Sequence, residues 1–282
     1  MSTITQTARS AKSSFEYTEW KEKLARIGHA AKGAVYGIAG VLTLLAAFNM
    51  GGQKAGKSQV IDFLEKQPFG QVLVILMAIG LACYAFYRFV QVAGKSEKLE
   101  KKEEWKRKVM KAGFFISGVI YLGFAVYAVM QVLGSSGSGS GGGKQGIVSS
   151  MLQHTWGVVL IYIAAALLMV KAIYQIIKVK NKEYYEGVRG MNVGVKKAKS
   201  IVKKAGAIGF IARGILIGIT AYFFFQAANN HDASQVKGTS GAFSFLQESS
   251  SGPWLMAAVA IGLIGYAVYM VVVSRYKEFH IK

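Results

Sequence analysis

The stretch of sequence that decides the fold is Ile27-Gly28-His29-Ala30-Ala31-Lys32-Gly33-Ala34-Val35-Tyr36-Gly37. It returns in the same register as Ile208-Gly209-Phe210-Ile211-Ala212-Arg213-Gly214-Ile215-Leu216-Ile217-Gly218, and more loosely as Ala112-Gly113-Phe114-Phe115-Ile116-Ser117-Gly118. A downstream motif also recurs, because Gly80-Leu81-Ala82-Cys83-Tyr84-Ala85-Phe86-Tyr87 is echoed by Gly262-Leu263-Ile264-Gly265-Tyr266-Ala267-Val268-Tyr269. Self-similarity of this kind indicates repeated structural units. The chain is therefore expected to contain three copies of one unit.

Each unit contains two long apolar stretches. A stretch of about 20 residues crosses roughly 30 Å of hydrocarbon as a helix, in which every backbone amide finds an internal partner. The six predicted spans are residues 30–49, 71–93, 112–133, 156–177, 206–228 and 254–274. The predicted fold class is thus all-α: a polytopic membrane protein of six transmembrane helices, arranged as three tandem two-helix repeats. Because the repeats enter the membrane in the same direction, a pseudo-threefold axis along the membrane normal is expected.

The repeats divide the chain into seven segments. The predicted segments are an N-terminal tail (1–22), repeat 1 (23–95), a linker (96–107), repeat 2 (108–180), a basic linker helix (181–203), repeat 3 (204–276) and a C-terminal tail (277–282).

The composition excludes several classes of protein. Apolar residues make up 52% of the 282 residues and charged residues 17%, whereas soluble domains carry about a quarter charged residues. The 34 Lys and Arg residues exceed the 14 Asp and Glu residues, for a net charge of +20. Long uncharged runs argue against a nucleic-acid-binding protein and against disorder, and a single cysteine, Cys83, argues against a disulfide scaffold.

The basic residues also orient the chain. They concentrate in both tails and in the two linkers, and such segments are typical of the cytoplasmic side. The sequence predicts a multi-pass protein of the bacterial inner membrane with both termini in the cytoplasm. The same basic surface is expected to contact anionic lipid headgroups, and it could also dock a protein partner, whose identity the sequence does not indicate.

Glycines mark the first helix of each repeat. Small residues let membrane helices approach closely, so the following are expected to be packing positions: Gly33, Gly37, Gly118, Gly214 and Gly218. From them we predict that spans one, three and five lie innermost.

These motifs resemble a bacterial membrane-protein family known only as a domain of unknown function (family 1206). The resemblance runs from about Lys23 to Tyr276 and rests on the Gly-x-x-x-(Lys/Arg)-Gly starts, on Gln67-Pro68-Phe69-Gly70 and on the Gly-x-x-x-Tyr endings. The second repeat departs most, with Ser117 at the basic position. The family implies a six-span inner-membrane protein and brings no activity.

Four basic residues lie within or near the predicted spans. Lys32 and Arg213 occupy equivalent repeat positions, and a charge within a span is by default a candidate functional residue. Arg88 and Lys171 lie near the inner ends of spans two and four. All four are lipid- or anion-contact candidates. Lys32 and Arg213 could extend to the cytoplasmic headgroups, or they could line a site for an anion or substrate. Arg88 and Lys171 are interpreted as anchors that extend to the headgroups.

Other motifs are given structural interpretations. Gly51 to Ser58 matches the phosphate-loop pattern, but it follows a membrane span rather than a strand, so we interpret it as a flexible loop and helix start. The Gly/Ser run from Gly134 to Gly143 is interpreted as a flexible loop. The apolar segments 60–64 and 242–246 are expected to form short helices that brace the bundle, with a substrate gate as the alternative.

No catalytic, metal-binding or cofactor-binding set is found. The spans hold no mid-span carboxylate and no histidine pair with metal-ligand spacing, so the protein is predicted not to be an enzyme and to need no cofactor. The first function that remains is a structural or accessory membrane protein that binds lipid or a partner. The alternative is a channel or carrier for a small solute along the pseudo-threefold axis.

Overall fold

The structure, a computed structural model of the chain, describes residues 2–94, 103–133, 148–185 and 196–276. These residues form helices α1 (Ser2–Ala47), α2 (Lys57–Glu65), α3 (Gly70–Ala93), α4 (Glu104–Val132), α5 (Thr155–Lys180), α6 (Lys196–Asn229), α7 (Thr239–Gln247) and α8 (Gly252–Tyr276). A 3₁₀-helix, Ala233–Gln235, and short helical segments at 148–152 and 183–185 complete the described fold, which contains no strand. The Gly/Ser run 134–143, the tail 277–282 and parts of both linkers lie outside the described residues.

Six helices are long and apolar enough to span a membrane, which confirms the sequence prediction. The spans are Glu22–Ala47, Gly70–Ala93, Arg107–Val132, Thr155–Lys180, Lys199–Asn229 and Gly252–Tyr276. The first and fifth spans begin earlier than the apolar stretches do. Lys, Glu and Ala are good helix formers, so these two helices continue without a break through their polar flanks. The described part of the basic linker, from Lys196, is therefore continuous with span five rather than a separate helix.

The spans pack as an open ring in which first and second helices alternate. Each first helix of a repeat packs closely against the second helix of another repeat: α1 against α8, α4 against α3, and α6 against α5. Within repeats 1 and 3 the two helices also pack closely. Among the described residues the most buried span is the sixth, α8. The prediction that spans one, three and five lie innermost is therefore wrong, because their glycines contact second helices rather than one another.

The predicted packing glycines lie at contacts between repeats. Ideal Cβ atoms on Gly33 and Gly214 would each lie 3.2 Å from a carbonyl oxygen, that of Ala267 on α8 and that of Ala172 on α5. Gly37 and Gly218 face the same two alanines, and an ideal Cβ on Gly118 would lie 2.7 Å from the ring of Phe89 on α3. The five glycines thus occur at the three first-to-second helix contacts.

Different glycines set the crossings within repeats 1 and 3. An ideal Cβ on Gly28 would lie 2.6 Å from the Cα atom of Tyr84, and one on Gly209 would lie 2.6 Å from the Cα atom of Tyr266. In repeat 2 the equivalent residue, Gly113, has no neighbour within 4 Å in the described structure. Correspondingly, α4 and α5 are not a closely packed pair among the described helices, so the ring is open there.

Two short helices fold back against the spans. The Ala55 N–H donates to Thr43 Oγ1 at 3.0 Å, about one turn before the end of α1, so the loop before α2 re-enters the bundle. Val60 and Ile61 of α2 and Phe243 of α7 are completely buried. This burial identifies the predicted short segments as part of the core.

Candidate functional site

Lys32 points into the bundle from the interior of span one. Its side chain is 5% exposed, and its Nζ donates a hydrogen bond to Tyr84 Oη at 2.9 Å. The same ammonium lies 4.5 Å from the ring centre of Tyr84 and 5.2 Å from that of Tyr121. Lys32 is therefore held by tyrosines and is directed away from the protein surface.

Arg213 is buried close to Lys32 and is only partly satisfied. It is 8% exposed, and its Cζ lies 4.3 Å from the ring centre of Tyr266 and 5.0 Å from that of Tyr36. Its Nε–H has no hydrogen-bond partner among the described residues. Lys32 Nζ lies 5.8 Å from the same Tyr266 ring, so the two cations are no more than about 10 Å apart. At that separation two unit charges repel by about 2 kcal/mol at an effective dielectric constant near 20.

Three further cations surround this pair. Arg88 is half-buried and donates through Nε to Tyr84 Oη at 2.9 Å. Lys57, at the start of α2, places its Nζ 5.6 Å from the ring centres of Tyr36 and Tyr121. Lys171 on α5 directly precedes Ala172, whose carbonyl oxygen lies 3.2 Å from an ideal Cβ on Gly214, the residue that follows Arg213. We call this set the cation–tyrosine layer: Lys32, Lys57, Arg88, Lys171, Arg213, Tyr36, Tyr84, Tyr121 and Tyr266.

The repeat register accounts for much of this layer. Gly70, Gly157 and Gly252 each donate their N–H to the carbonyl three residues earlier, so these three positions are equivalent. Counting from them, Tyr84, Lys171 and Tyr266 occupy one equivalent position on the second helices. Lys32, Ser117 and Arg213 occupy one equivalent position on the first helices. Each repeat therefore contributes one cation at these two positions, and in repeat 2 that cation lies on the second helix.

No carboxylate neutralises the layer among the described residues. The described contacts of its five cations are with tyrosine, phenylalanine and glutamine side chains. The two acids on α2, which follow Lys57 in the chain, are hydrogen-bonded to α4 instead. Asp62 accepts from Tyr127 Oη and Glu65 accepts from Gln131 Nε2, each at 2.7 Å. The site can therefore offer positive charge and N–H or O–H donors to an anionic group, and it contains no described carboxylate.

Sequence reasoning identified Lys32, Arg213, Arg88 and Lys171 but missed Lys57. Gly56 precedes the first residue of α2, and its N–H donates to Gln59 Oε1 at 2.9 Å, so the phosphate-loop match is a helix start that follows no strand. The sequence signal that could have identified Lys57 was the recurrence of its segment as Gly238-Thr239-Ser240 in repeat 3.

Ser117 is half-buried, with no described contact to Lys32 or Arg213. No metal-binding group of three His, Cys, Asp or Glu residues occurs in the described part of the chain.

A prediction follows for the tyrosine that joins Lys32 and Arg88. The Tyr84→Phe variant is expected to lose about 1–3 kcal/mol of unfolding free energy, because two buried cations lose their shared acceptor. The measurement is SDS-induced unfolding in mixed micelles.

The matched control for this prediction is Tyr266→Phe. Tyr266 is the equivalent residue of repeat 3, but its described side-chain contacts are made by its ring, with Tyr36, Phe210, Tyr269, Lys32 and Arg213. Because its hydroxyl makes no described hydrogen bond, the loss of that hydroxyl is expected to cost less unfolding free energy than the change at Tyr84. Equal losses in both variants would contradict the assignment of Tyr84 as a special acceptor.

The fold and this layer define the class of protein: a polytopic membrane protein of three two-helix repeats with a buried basic cluster. The chain belongs to the family described as Domain of Unknown Function (DUF1206), which matches it three times, over residues 27–95, 112–181 and 208–277. These matches coincide closely with the three repeats. The chain is also similar to the uncharacterized protein YxxB of Bacillus subtilis (strain 168), with 26% identity over 264 residues, 93% of this chain and 94% of the relative. No solved structure matches it.

Proposed function

We propose that this protein binds an anionic group within the membrane and acts as a channel or carrier for it. One observation carries the proposal: Lys32 and Arg213 are buried near each other in two spans, without a described carboxylate partner. Burying a charge inside a membrane protein is costly unless the charge is paired, and intramembrane cations commonly mark a ligand pathway. An anion at the layer would supply the missing negative charge.

The layer also offers the directional contacts that an anion needs. The Arg213 Nε–H lacks a described partner and can donate to an anion oxygen or halide. Tyrosine hydroxyls provide further donors, while their rings stabilise the cations from the side. Such an arrangement holds an anion by charge and hydrogen bonds together.

Two helix N-termini add to this field. An ideal Cβ on Gly56, before α2, would lie 3.3 Å from Thr239 Cβ, at the start of α7. The two short helices therefore bring their N-termini together, and Lys57 extends from one of them to the layer. The N-terminal end of a helix carries partial positive charge and favours anions.

Of the two functions that the sequence leaves open, a channel or carrier fits the layer better than a structural or accessory role does. A structural role as a lipid- or partner-binding accessory protein would favour a dry seam of glycine and alkyl side chains at the centre. The cluster of buried cations and tyrosines supports transport instead. With it we propose that the protein is not an enzyme, because the described layer contains no nucleophile–base pair.

The basic flanks support a proposed orientation. Most Lys and Arg residues lie in the tails and linkers, so we place both termini in the cytoplasm of a bacterial inner membrane. Their proposed partners are anionic lipid headgroups on that face.

The test is anion-dependent stability in purified protein. Inorganic phosphate and chloride are titrated separately against wild type, Lys32→Gln and Arg213→Gln, with Lys180→Gln at the exposed end of α5 as control. At 100 times the dissociation constant, a bound anion stabilises by about 2.7 kcal/mol, or roughly 5–10 °C in Tm. Wild type and Lys180→Gln should show this shift, and the two layer variants should not.

Flux in proteoliposomes tests the transport step. The anion that stabilises the protein should leave vesicles faster through wild type than through either layer variant. If neither anion stabilises wild type, or if both layer variants keep wild-type flux and stabilisation, the proposed function is wrong.

A further inference from the structure

Repeat 2 lacks the crossing that closes the other two repeats. In repeats 1 and 3, Gly80 and Gly262 of the second helices face Ala31 and Ala212 of the first helices, with an ideal Cβ only 2.3 Å from the alanine methyl. The equivalent residues of repeat 2 are Leu167 and Ile116. Two large side chains replace glycine and alanine, so α4 and α5 cannot approach as closely.

The described structure shows the consequence of this substitution. Ile116 is 49% exposed and Leu167 is 57% exposed, and Gly113 has open space where Gly28 and Gly209 meet tyrosine backbone. Both α4 and α5 are buried only half as much as the first, second and fifth spans. Among the described residues the ring therefore has a lateral opening, which we define by Gly113 and Ile116 on α4 and by Leu167 and Lys171 on α5.

This opening leads from the apolar flank of the protein to the cation–tyrosine layer. Lys171 directly precedes Ala172, whose carbonyl oxygen lies 3.2 Å from an ideal Cβ on Gly214, and Gly214 directly follows Arg213 of the layer. Lys171 occupies the position that Tyr84 and Tyr266 hold in the closed repeats, so a cation lies where the ring is open. The residues beside it are large and apolar, including Ile163 and Val170, which are exposed.

We propose that an anionic phospholipid occupies this opening, with its phosphate at the cation–tyrosine layer and its acyl chains outside between α4 and α5. The inference rests on the proposed function, and it identifies the anionic group at the layer as the phosphate of a membrane lipid. A cation beside exposed alkyl side chains complements an amphiphile, whose acyl chains pack on the alkyl groups, whereas a free anion would have to leave water and pass these apolar side chains before it reached the cation. The opening is thus a lateral path from the bilayer.

The experiment compares lipid retention with binding of free phosphate. Full-length protein is reconstituted in vesicles of phosphatidylglycerol and phosphatidylcholine in equal amounts and re-extracted in mild detergent, and retained lipid is quantified by mass spectrometry. Gly113→Trp fills the opening, and Gly123→Trp is the matched control, because Gly123 also lies on α4 with no described neighbour within 4 Å. Lys171→Met removes the cation and Lys171→Arg keeps it.

Wild type and Gly123→Trp should retain phosphatidylglycerol in preference to phosphatidylcholine. Gly113→Trp should retain neither and keep its stabilisation by inorganic phosphate. Lys171→Met should bind phosphatidylglycerol about fivefold more weakly, since one Lys near an anionic lipid contributes about 1 kcal/mol, and Lys171→Arg should bind it as wild type does.

Three outcomes would overturn the inference. Unchanged retention by Gly113→Trp would show that the lipid binds elsewhere. Equal retention of both lipids would show that the net negative charge of the lipid has no role. A dimer that Gly113→Trp converts to monomer would identify a second copy of the chain as the occupant. If phosphate or chloride stabilises wild type in any of these cases, the proposed function stands and only the lateral lipid path fails; if neither anion has an effect, the proposed function itself fails.

Discussion

The Gly209→Ala variant is expected to lose about 1–3 kcal/mol of unfolding free energy, the usual cost of overpacking a tight contact. An added Cβ would lie 2.6 Å from the Cα atom of Tyr266, which is backbone and cannot rotate away. The same change at Gly28 meets the Cα atom of Tyr84 at 2.6 Å and should cost a similar amount. Both substitutions force apart the two helices of a closed repeat.

Repeat 2 provides the control for this prediction. Gly113 is the equivalent glycine, and an added Cβ there has no described neighbour within 4 Å. Alanine is a better helix former than glycine by roughly 1 kcal/mol, so Gly113→Ala should be neutral or stabilising. SDS-induced unfolding of the three variants measures the difference. A loss at Gly113 as large as that at Gly209 would show that the described opening between α4 and α5 is closed in the folded protein.

The number of membrane spans and their division into three repeats were predictable, because both depend on the composition and the repeat pattern of the sequence. Six apolar stretches define the spans, and the matched registers around Lys32 and Arg213 define the repeats. These features are local, and a single sequence displays them directly. The family resemblance agreed with them and supplied no site residue.

The arrangement of helices around the centre was less predictable. Small residues indicate that a helix packs closely, but they do not say which partner it meets. Gly33 and Gly214 meet the second helices α8 and α5 rather than another first helix. Spans one, three and five were therefore wrongly predicted to lie innermost. Partner choice depends on all six helices together.

The site was only partly predictable for a similar reason. Lys32 and Arg213 stood out because charge within an apolar stretch is rare. Lys57 did not, because it lies in a polar segment after span one, and only the return of that segment into the bundle brings it to Tyr36 and Tyr121. The tyrosines were recognised as repeated, but aromatic packing explained them equally well until their contacts with cations were seen.

Repeat 2 differs from repeats 1 and 3 at three positions whose role only the structure shows. In sequence, Ser117, Leu167 and Lys171 look like ordinary divergence of one copy. In the structure they fall at the positions where the other copies place a buried cation, a packing glycine and a ring tyrosine. Repeat 2 therefore differs from the other two repeats at the equivalent positions that hold their buried cation, helix crossing and ring tyrosine.

The Lys32→Met variant is expected to be more stable than wild type when no anion is present. Methionine has a similar length and no charge, so it removes the desolvation cost of the ammonium and its repulsion from Arg213. Replacing buried charges by apolar side chains of similar volume is commonly neutral or stabilising, by about 1–4 kcal/mol. Tyr84 keeps an acceptor role, because Arg88 still donates to its hydroxyl at 2.9 Å.

The same variant should gain nothing from added phosphate, because the layer has lost a buried donor and charge. Thermal unfolding with and without phosphate measures both effects, and Lys180→Met, at the exposed end of α5, is the control that should match wild type in each. A variant that is less stable than wild type and still responds to phosphate would assign Lys32 a packing role through Tyr84 and Tyr121. An anion site requires that Lys32→Met be more stable than wild type without phosphate and that it no longer respond to phosphate. The wild-type ammonium lowers stability while no ligand is bound, because it is kept for binding.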